Sequence, residues 1–207
     1  MEPVELVSNK HMALIGYGDI GYACAKVAKN GFGMKVTGVK RNPNSVSQEQ
    51  RAVCDEVVGN DEYDRVLSQA DFVVGILPKV AGETDDFFNL ESTFSKMKKS
   101  AVFMNIGRGT TVKEEDLIKA LKEKMIAGAV LDVFKHEPLS EKSELWDCEN
   151  VFITPHCADV DSDHLKRAIS IFGENLDRWA AGGKDNLLNV VDKHKGYWAS
   201  SIYILYL

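Results

Sequence analysis

The stretch that decides the fold is ALIGYGDIGYACAKVAKNG, residues 13–31. Gly16, Gly18 and Gly21 form a G-x-G-x-x-G pattern that directly follows a short apolar run and opens a helical pattern. In such a strand–turn–helix context the first glycine permits a tight turn, the second lets the backbone approach a pyrophosphate, and the third lets helix and strand pack closely. The helix N-terminus then favours the phosphate charge. The pattern predicts a dinucleotide-binding loop, and a purely structural turn is the alternative.

Strand and helix patterns alternate along the rest of the chain. Apolar runs predict strands over residues 12–15, 34–39, 53–58, 71–77, 101–106, 129–133 and 151–154. Helices are predicted over residues 20–29, after a T-x-x-E capping box at Thr111–Glu114, and over residues 161–181. The last of these carries an apolar stripe of Leu165, Ile169, Phe172, Leu176 and Trp179. Strands that alternate with helices imply an α/β fold, a doubly wound parallel sheet of the Rossmann type.

Composition bounds the class of protein. A length of 207 residues suits one domain with a small appendage. The formal net charge of −6 argues against nucleic acid or an anionic membrane as the main partner. The four cysteines form no C-x-x-C pair, which indicates reduced thiols in the cytoplasm and no metal site. The apolar end, YWASSIYILYL, is shorter than the ~20 residues of a membrane helix and is interpreted as a packing segment or a truncated gene end, with a membrane anchor as the alternative.

A second cofactor signal follows the second predicted strand, in GVKRNP. An NAD-preferring site usually has Asp or Glu about 20 residues beyond the glycine loop, where it accepts hydrogen bonds from the ribose. Here that position holds Lys40, followed by Arg41. Because cations attract a 2′-phosphate, these residues favour NADP(H) over NAD(H), and a solvated basic turn is the alternative.

Three stretches near strand ends carry residues that can do chemistry. NIGRG contains Arg108, LDVFKHEPL contains Asp132 and Glu137, and ITPHCAD contains His156. Oxidation or reduction at the hydroxyl carbon of a 2-hydroxy acid needs a proton-exchanging group, which His provides, and a cation for the carboxylate, which Arg provides. A carboxylate beside the histidine would stabilise its charged form. Each residue alone also has a structural explanation, but their combination at strand ends favours a catalytic set.

These motifs together resemble one family. GYGDIG, NIGRGTTVKEEDLIKAL, IAGAVLDVFKHEPL and NVFITPHCAD are similar to the nicotinamide-domain signatures of D-isomer-specific 2-hydroxyacid dehydrogenases, and the resemblance runs from about Leu6 to Asp192. It implies hydride transfer between NAD(P)H and a small 2-keto or 2-hydroxy acid such as glyoxylate or hydroxypyruvate. Arg108 would hold the carboxylate and polarise the carbonyl, His156 would be the acid/base, and Glu137 its partner.

The resemblance also extends the cofactor site beyond the glycine loop. Asp132 would lie near the nicotinamide end, and the family's reductases of glyoxylate and hydroxypyruvate often take NADPH. The run LPKVAGET is one residue longer than the family's usual run from Leu-Pro to Glu-Thr. The position of Thr84 therefore departs from the family's pattern. The predicted cofactor-binding residues are Gly16, Gly18, Asp19, Ile20, Gly21, Lys40, Arg41, Leu77, Pro78, Thr84, Ile106 and Asp132.

The family's domain organisation predicts how this chain is divided. Family members carry a long segment before the glycine loop, which forms most of a second, substrate-binding domain. We expect residues 1–10 to be a remnant of that segment and 11–160 to be the NAD(P)-binding domain. Residues 161–192 would be a helix returning to the missing substrate domain, and 193–207 an apolar tail. A homodimer through the nicotinamide domain follows by analogy only.

Three functions stay open on the sequence. The first is an NAD(P)-dependent 2-keto acid reductase or a fragment of one. The second is a dinucleotide-binding module with little activity, and the third is a non-functional product of a truncated gene. The presence of Arg108, Glu137 and His156 favours the first for the parent protein. The expected absence of the substrate domain favours the others for the chain as given.

Overall fold

The computed structural model of the protein describes residues 5–192 and 197–198. Seven strands form one sheet in the order β3-β2-β1-β4-β5-β6-β7, and every neighbouring pair runs parallel. The strands are β1 His11–Ile15, β2 Lys35–Val39, β3 Glu56–Val58, β4 Phe72–Gly75, β5 Val102–Asn105, β6 Gly128–Leu131 and β7 Val151–Ile153. The order reverses direction between β1 and β4, and open α/β sheets bind ligands at such a switch point, outside the carboxyl ends of the strands.

α-Helices lie in four of the six connections between these strands, and the connections β4–β5 and β6–β7 contain only 3₁₀ turns. The helices are α1 Asp19–Phe32, α2 Gln48–Ala52, α3 Tyr63–Gln69 and α4 Glu114–Lys122. Short 3₁₀ turns lie at Pro43–Ser45, Asn60–Glu62, Phe94–Lys96, Gly109–Thr111 and Glu144–Asp147. The predicted doubly wound Rossmann-type fold is confirmed.

Successive residues of strand β1 belong to two different buried clusters. Ala13 belongs to one buried cluster, which also contains Val66 of α3 and Leu117 of α4. Its neighbour Leu14 belongs to a second cluster, which contains Ala25 of α1. Successive strand residues point to opposite faces, so a run such as ALI is apolar throughout because helices cover both sides.

The chain divides into two compact units, Met1–Pro155 and His156–Leu207. The first contains the whole seven-stranded sheet and α1 to α4. The second contains α5 His164–Gly182, and β8 Val191–Asp192 paired antiparallel with β9 Tyr197–Trp198. The domain boundaries expected from the family stay predictions. Residues 1–4 and most of the expected apolar tail at 193–207 lie outside the described residues.

The helix predicted over residues 161–181 corresponds to α5, and its apolar stripe is present. All five side chains of that stripe are more than half exposed. Within the second unit, Asn175 ties α5 to the segment that follows it, because its side chain accepts from Leu188 N–H at 2.7 Å and donates to Leu188 O at 3.3 Å.

One detail of the sequence-based prediction is wrong, and one capping motif was not predicted. The T-x-x-E capping box does not form, because α4 begins at Glu114 with Lys113 at its N-cap, and Thr111 lies in a 3₁₀ turn where its hydroxyl donates to Arg108 O at 2.6 Å. A capping box instead begins α2, where Ser47 and Gln50 exchange side-chain to backbone hydrogen bonds. The S-x-x-Q spacing of that pair is a signal that could have revealed α2.

Candidate active site

Every residue singled out in the first unit follows a strand of the sheet at its carboxyl end. The glycine loop follows β1, Lys40 and Arg41 follow β2, and Leu77 to Thr84 follow β4. Arg108 follows β5, and Asp132 with Glu137 follow β6. Because all strands are parallel, their carboxyl ends share one edge of the sheet, where a dinucleotide and a substrate can meet.

The three glycines of the loop differ in what an added Cβ would contact. Gly16 has φ of 105°, and a Cβ there would lie 2.6 Å from Ile76 O. A Cβ on Gly21 would lie 2.8 Å from Gly16 O, so helix α1 packs directly on the loop. A Cβ on Gly18 would meet nothing within 4 Å. The second glycine thus leaves open space at the start of α1, where a helix presents N–H groups without intrahelical partners, and this fits a pyrophosphate.

Tyr17 anchors the glycine loop to the next crossover. Its ring is fully buried against Gly38 of β2, where a Cβ would lie 2.5 Å from the ring carbon Cγ. Its hydroxyl donates to Gln50 O of α2 at 2.7 Å. Gly16 and Tyr17 N–H both donate to Val39 O at 3.0 Å. The glycine loop is therefore hydrogen-bonded to β2 and α2, the strand and the helix on either side of the basic turn at residues 40–42.

That basic turn carries an ion pair that the sequence did not reveal. Lys40 is half-buried, and its N–H donates to Val58 O at 3.0 Å. Arg41 is exposed, and its Nη2 lies 2.5 Å from Oε2 of Glu83. Glu83 belongs to the loop after β4, so the pair joins segments that follow the two neighbours of β1. Arg41, a predicted cofactor residue, thus has a protein carboxylate as its partner.

Thr84 is buried and holds its own loop together. Its hydroxyl donates to Pro78 O at 2.8 Å and accepts from Val80 N–H at 2.8 Å. Leu77 is half-buried, Pro78 is exposed, and the backbone of Leu77 lies against Gly107, where a Cβ would be 2.8 Å from Leu77 O. The structure places the loop at the predicted edge and gives the Thr84 hydroxyl a role within it.

Asn105 sets the backbone that carries Arg108. This fully buried side chain accepts from Gly107 N–H and donates to Arg108 O, each at 3.1 Å. Thr111 donates to the same carbonyl, and Arg108 Nη1 donates to Gly107 O at 2.8 Å. The backbone that carries the Arg108 side chain is therefore a tightly hydrogen-bonded turn. Arg108 itself is exposed at the sheet edge. A buried polar residue inside the NIGRG motif was a signal that sequence reasoning missed.

Gly109 brings the Arg108 loop against the Glu137 loop. A Cβ on Gly109 would lie 1.9 Å from the carbonyl carbon of Phe134 and 2.0 Å from its oxygen. The N–H of Phe134 donates to Glu137 Oε1 at 2.9 Å. Two residues of the predicted catalytic set thus belong to loops whose backbones are in contact.

Asp132 is the buried acid of this edge, with 4% of its surface exposed. Its N–H donates to Asn105 O at 3.1 Å, and its carboxylate accepts a hydrogen bond from the hydroxyl of Thr154, just after β7. Asp132 therefore joins the ends of β5, β6 and β7. Ile106, half-buried, donates its N–H to Gly75 O at 3.2 Å.

His156 is the first residue of the second unit and is exposed. Its φ of 51° is in the left-handed region, which non-glycine residues adopt rarely and often at functional positions. The first unit therefore contains Arg108, Glu137 and Asp132 on adjoining loops, and the chain enters the second unit at His156.

An open cleft has none of the predicted site residues in its lining. It is lined by Asp86, Asn89, Leu90, Glu91, Ser95, Lys113, Asp116 and Met125. Its acidic lining does not suit a carboxylate substrate. Across residues 5–192 and 197–198, no group of three or more His, Cys, Asp and Glu side chains is arranged to hold a metal ion. Over the same residues, no helix has the length and apolar character needed to cross a membrane.

The fold and the glycine loop define a Rossmann-type dinucleotide-binding domain. Residues 2–158 match the NAD binding domain of the D-isomer specific 2-hydroxyacid dehydrogenases. The chain belongs to this family.

Individual relatives agree with the family assignment. A glyoxylate/hydroxypyruvate reductase B from Klebsiella pneumoniae is 40% identical over 172 residues, which are 82% of this chain and 50% of that protein. A probable 2-ketogluconate reductase from Dictyostelium discoideum is 37% identical over 83% of this chain and 52% of that protein. The structure of an NADPH-dependent glyoxylate/hydroxypyruvate reductase from Sinorhizobium meliloti, in complex with NADP and sulfate, superposes with a TM-score of 0.82 at 31% identity, covering 95% of this chain and 60% of that one. The chain spans about half the length of the curated relatives it matches.

Proposed function

We propose that this chain belongs to an NAD(P)H-dependent oxidoreductase that interconverts small 2-keto and 2-hydroxy acids such as glyoxylate or hydroxypyruvate. The observation that carries the proposal is the close backbone contact at Gly109 and Phe134, which joins the Arg108 and Glu137 loops. This junction lies at the same sheet edge as the glycine loop. A dinucleotide-binding module without chemistry has no need of a cation and a carboxylate on two loops whose backbones are in contact there.

Each residue has a role that its chemistry supports. Bound cofactor supplies the hydride for the keto carbon. Arg108 binds the substrate carboxylate with its guanidinium fork and polarises the carbonyl. His156 donates the proton to the developing hydroxyl, and Glu137 orients it. The buried Asp132 lies near the nicotinamide end of the cofactor.

NADP(H) is the proposed preferred cofactor, with NAD(H) as the alternative. The support is the cationic pair Lys40 and Arg41 after β2, where an acidic residue would repel a 2′-phosphate. The solved Sinorhizobium meliloti relative is described as NADPH-dependent. Assembly as a homodimer and a cytoplasmic location are further proposals, the first made by analogy and the second from the scattered spacing of the four cysteines in the sequence.

A second candidate function is dinucleotide binding with little or no turnover. It is favoured by one observation, that this chain spans about half of each curated relative described above. Closure of two domains over a substrate excludes water and orients the reacting carbon. A stretch that lacks such closure would still bind the cofactor through the glycine loop.

Turnover and binding, measured side by side, separate these candidates. The purified chain is mixed with NADPH and hydroxypyruvate or glyoxylate, and loss of reduced-nicotinamide absorbance is followed while dinucleotide affinity is measured by fluorescence titration. Arg108→Ala should lower kcat/KM by about 10-fold to 150-fold, since a charge-assisted hydrogen bond contributes about 1.5–3 kcal/mol and 1.4 kcal/mol is a factor of ten. Arg167→Ala is the control and should leave the rate unchanged, because Arg167 is a half-buried residue of α5 that pairs with Asp161 and is not one of the predicted site residues.

The outcomes point to different conclusions. Turnover that vanishes only in Arg108→Ala supports the reductase. Dinucleotide binding without turnover supports the binding function for this stretch of chain. A folded chain that binds neither NADPH nor NADH contradicts both.

A further inference from the structure

Glu83 forms an ion pair with Arg41, one of the predicted cofactor-binding residues. Its carboxylate oxygen Oε2 lies 2.5 Å from Arg41 Nη2, and the two residues are 42 positions apart in the chain. Arg41 follows β2 and Glu83 follows β4, the two strands on either side of β1. The ion pair therefore joins segments on both sides of the strand whose carboxyl end bears the glycine loop.

The backbone of Glu83 is held in a defined turn. Glu83 N–H and Thr84 N–H both donate to Val80 O at 3.0 Å, and Gly82 in this turn has φ of 76°. The Thr84 hydroxyl bonds to Pro78 O and Val80 N–H, as described above. The backbone that carries the Glu83 side chain is thus held in place by hydrogen bonds. The carboxylate at the end of that side chain is in contact with solvent.

We propose that Glu83 determines how strongly this site prefers NADP(H) over NAD(H), by competing with the 2′-phosphate for Arg41. The inference rests on the proposed function, in which Arg41 binds that phosphate. NAD(H) has no 2′-phosphate and needs no arginine there, so only NADP(H) must displace the carboxylate of Glu83. The carboxylate would also repel the bound phosphate, which carries up to two negative charges.

The expected size of the effect follows from the exposure of the pair. The side chains of Arg41 and Glu83 are 69% and 54% exposed. Exposed ion pairs contribute about 0.2–1 kcal/mol. The need to break the Arg41–Glu83 pair therefore lowers the affinity for NADPH by about 1.4-fold to 5-fold. Glu83→Gln should therefore raise the affinity for NADPH by up to about 5-fold, leave that for NADH unchanged, and lose the difference in high salt.

The test measures binding and needs no turnover. Dissociation constants for NADPH and NADH are determined by nicotinamide fluorescence for the wild-type chain, Glu83→Gln and a matched control, Asp85→Asn. Asp85 is two residues away, and its carboxylate accepts from Gly82 N–H at 3.1 Å. The control changes the net charge of the same loop by the same amount, so it should leave the NADH-to-NADPH ratio of dissociation constants nearly constant.

A second background shows whether Arg41 mediates the effect. In Arg41→Ala, NADPH should bind more weakly, and adding Glu83→Gln should then change the ratio much less than it does in the wild-type chain. Circular dichroism confirms folding of each variant, and both changed side chains are exposed.

The results distinguish this inference from the function on which it rests. A ratio that rises in Glu83→Gln, and not in Asp85→Asn, supports the competition. A wild-type chain that binds NADPH, with a ratio that stays constant or falls in Glu83→Gln, overturns the inference and leaves the proposed function intact. A wild-type chain that binds neither dinucleotide overturns both.

Discussion

Replacement of Gly109 by alanine tests the junction between the Arg108 and Glu137 loops. The added Cβ would lie 1.9 Å from Phe134 C, 2.0 Å from Phe134 O and 2.5 Å from Lys135 N. Carbon atoms pack at about 3.5–4.0 Å, so the two backbones must separate by roughly 1.5 Å or more. No side-chain rotation can relieve the contact, because all three atoms belong to the backbone.

The cost is at the upper end of the range for overpacking, about 3 kcal/mol of unfolding free energy. For a chain of this size each kcal/mol shifts Tm by about 2–4 °C, so the melting temperature should fall by about 6–12 °C. Thermal unfolding followed by circular dichroism measures this shift.

Gly31→Ala serves as the control for the loss of a glycine. Gly31 lies near the end of α1, and the nearest atom to an added Cβ is 4.0 Å away. The substitution should be neutral or stabilising by about 0.5–1 kcal/mol, because alanine has less conformational entropy to lose. If Gly109→Ala melts within about 2 °C of the wild-type chain, corresponding to less than 1 kcal/mol, the close approach described here is refuted.

The same variant has a functional consequence. Separation of the loops should move Arg108 away from Glu137 and leave the glycine loop after β1 unchanged. At a temperature where the variant is folded, reductase activity should fall by 10-fold or more, since a misplacement of about 1 Å can cost 100-fold. The affinity for NADPH should stay constant. Equal loss of binding and activity would contradict this explanation.

Two further predictions concern the first unit. Gly18→Ala should leave the unfolding free energy within about 0.5 kcal/mol of the wild type, because its Cβ would meet no atom within 4 Å. It should weaken NADPH binding at least 10-fold, and unchanged affinity in a fluorescence titration would exclude a pyrophosphate at this loop. His11 is 6% exposed with its Nε2 2.8 Å from Thr37 Oγ1, and burial lowers the pKa of its imidazole below 6.5. The unfolded chain therefore binds the proton more tightly, so stability is complete above about pH 6.5 and falls as the pH drops from there to the folded-state pKa. Urea unfolding at pH 7.5 and 5.5 should show a smaller decrease in His11→Gln than in the wild type, and equal decreases would contradict a role for His11.

Most elements of the fold could be predicted from local patterns. The glycine spacing after the apolar run ALI predicted β1, the loop and α1, and the remaining apolar runs predicted the other strands within a few residues of their ends. These signals are local because a strand covered on both faces must be apolar throughout. By contrast, α2 and α3 have five and seven residues. Helices this short are stable only through tertiary packing, so their periodicity is weak.

The sequence predicts which residues follow the strands at the carboxyl edge of the sheet, but not which contacts they make there. Arg108, Asp132 and Glu137 were recognisable from motifs near strand ends, and the structure places them at one edge of the sheet. The roles of Asn105 and Gly109 were missed, because these residues act on backbone atoms of neighbouring loops. Thr111 was assigned to a capping box, whereas its hydroxyl bonds to the carbonyl of Arg108.

The amino-acid sequence by itself therefore determined the alternating elements, the glycine loop and the chemical types available at the strand ends. Periodicity and glycine spacing depend on residues close together in the chain, so they can be recognised without a structure. The tertiary structure alone decided which strand ends are neighbours, and with that the Arg41–Glu83 ion pair and the contact of Gly109 with Phe134. These contacts join residues 42 and 25 positions apart. Such pairs form only once the sheet order places β2 and β4 beside β1, and β6 beside β5.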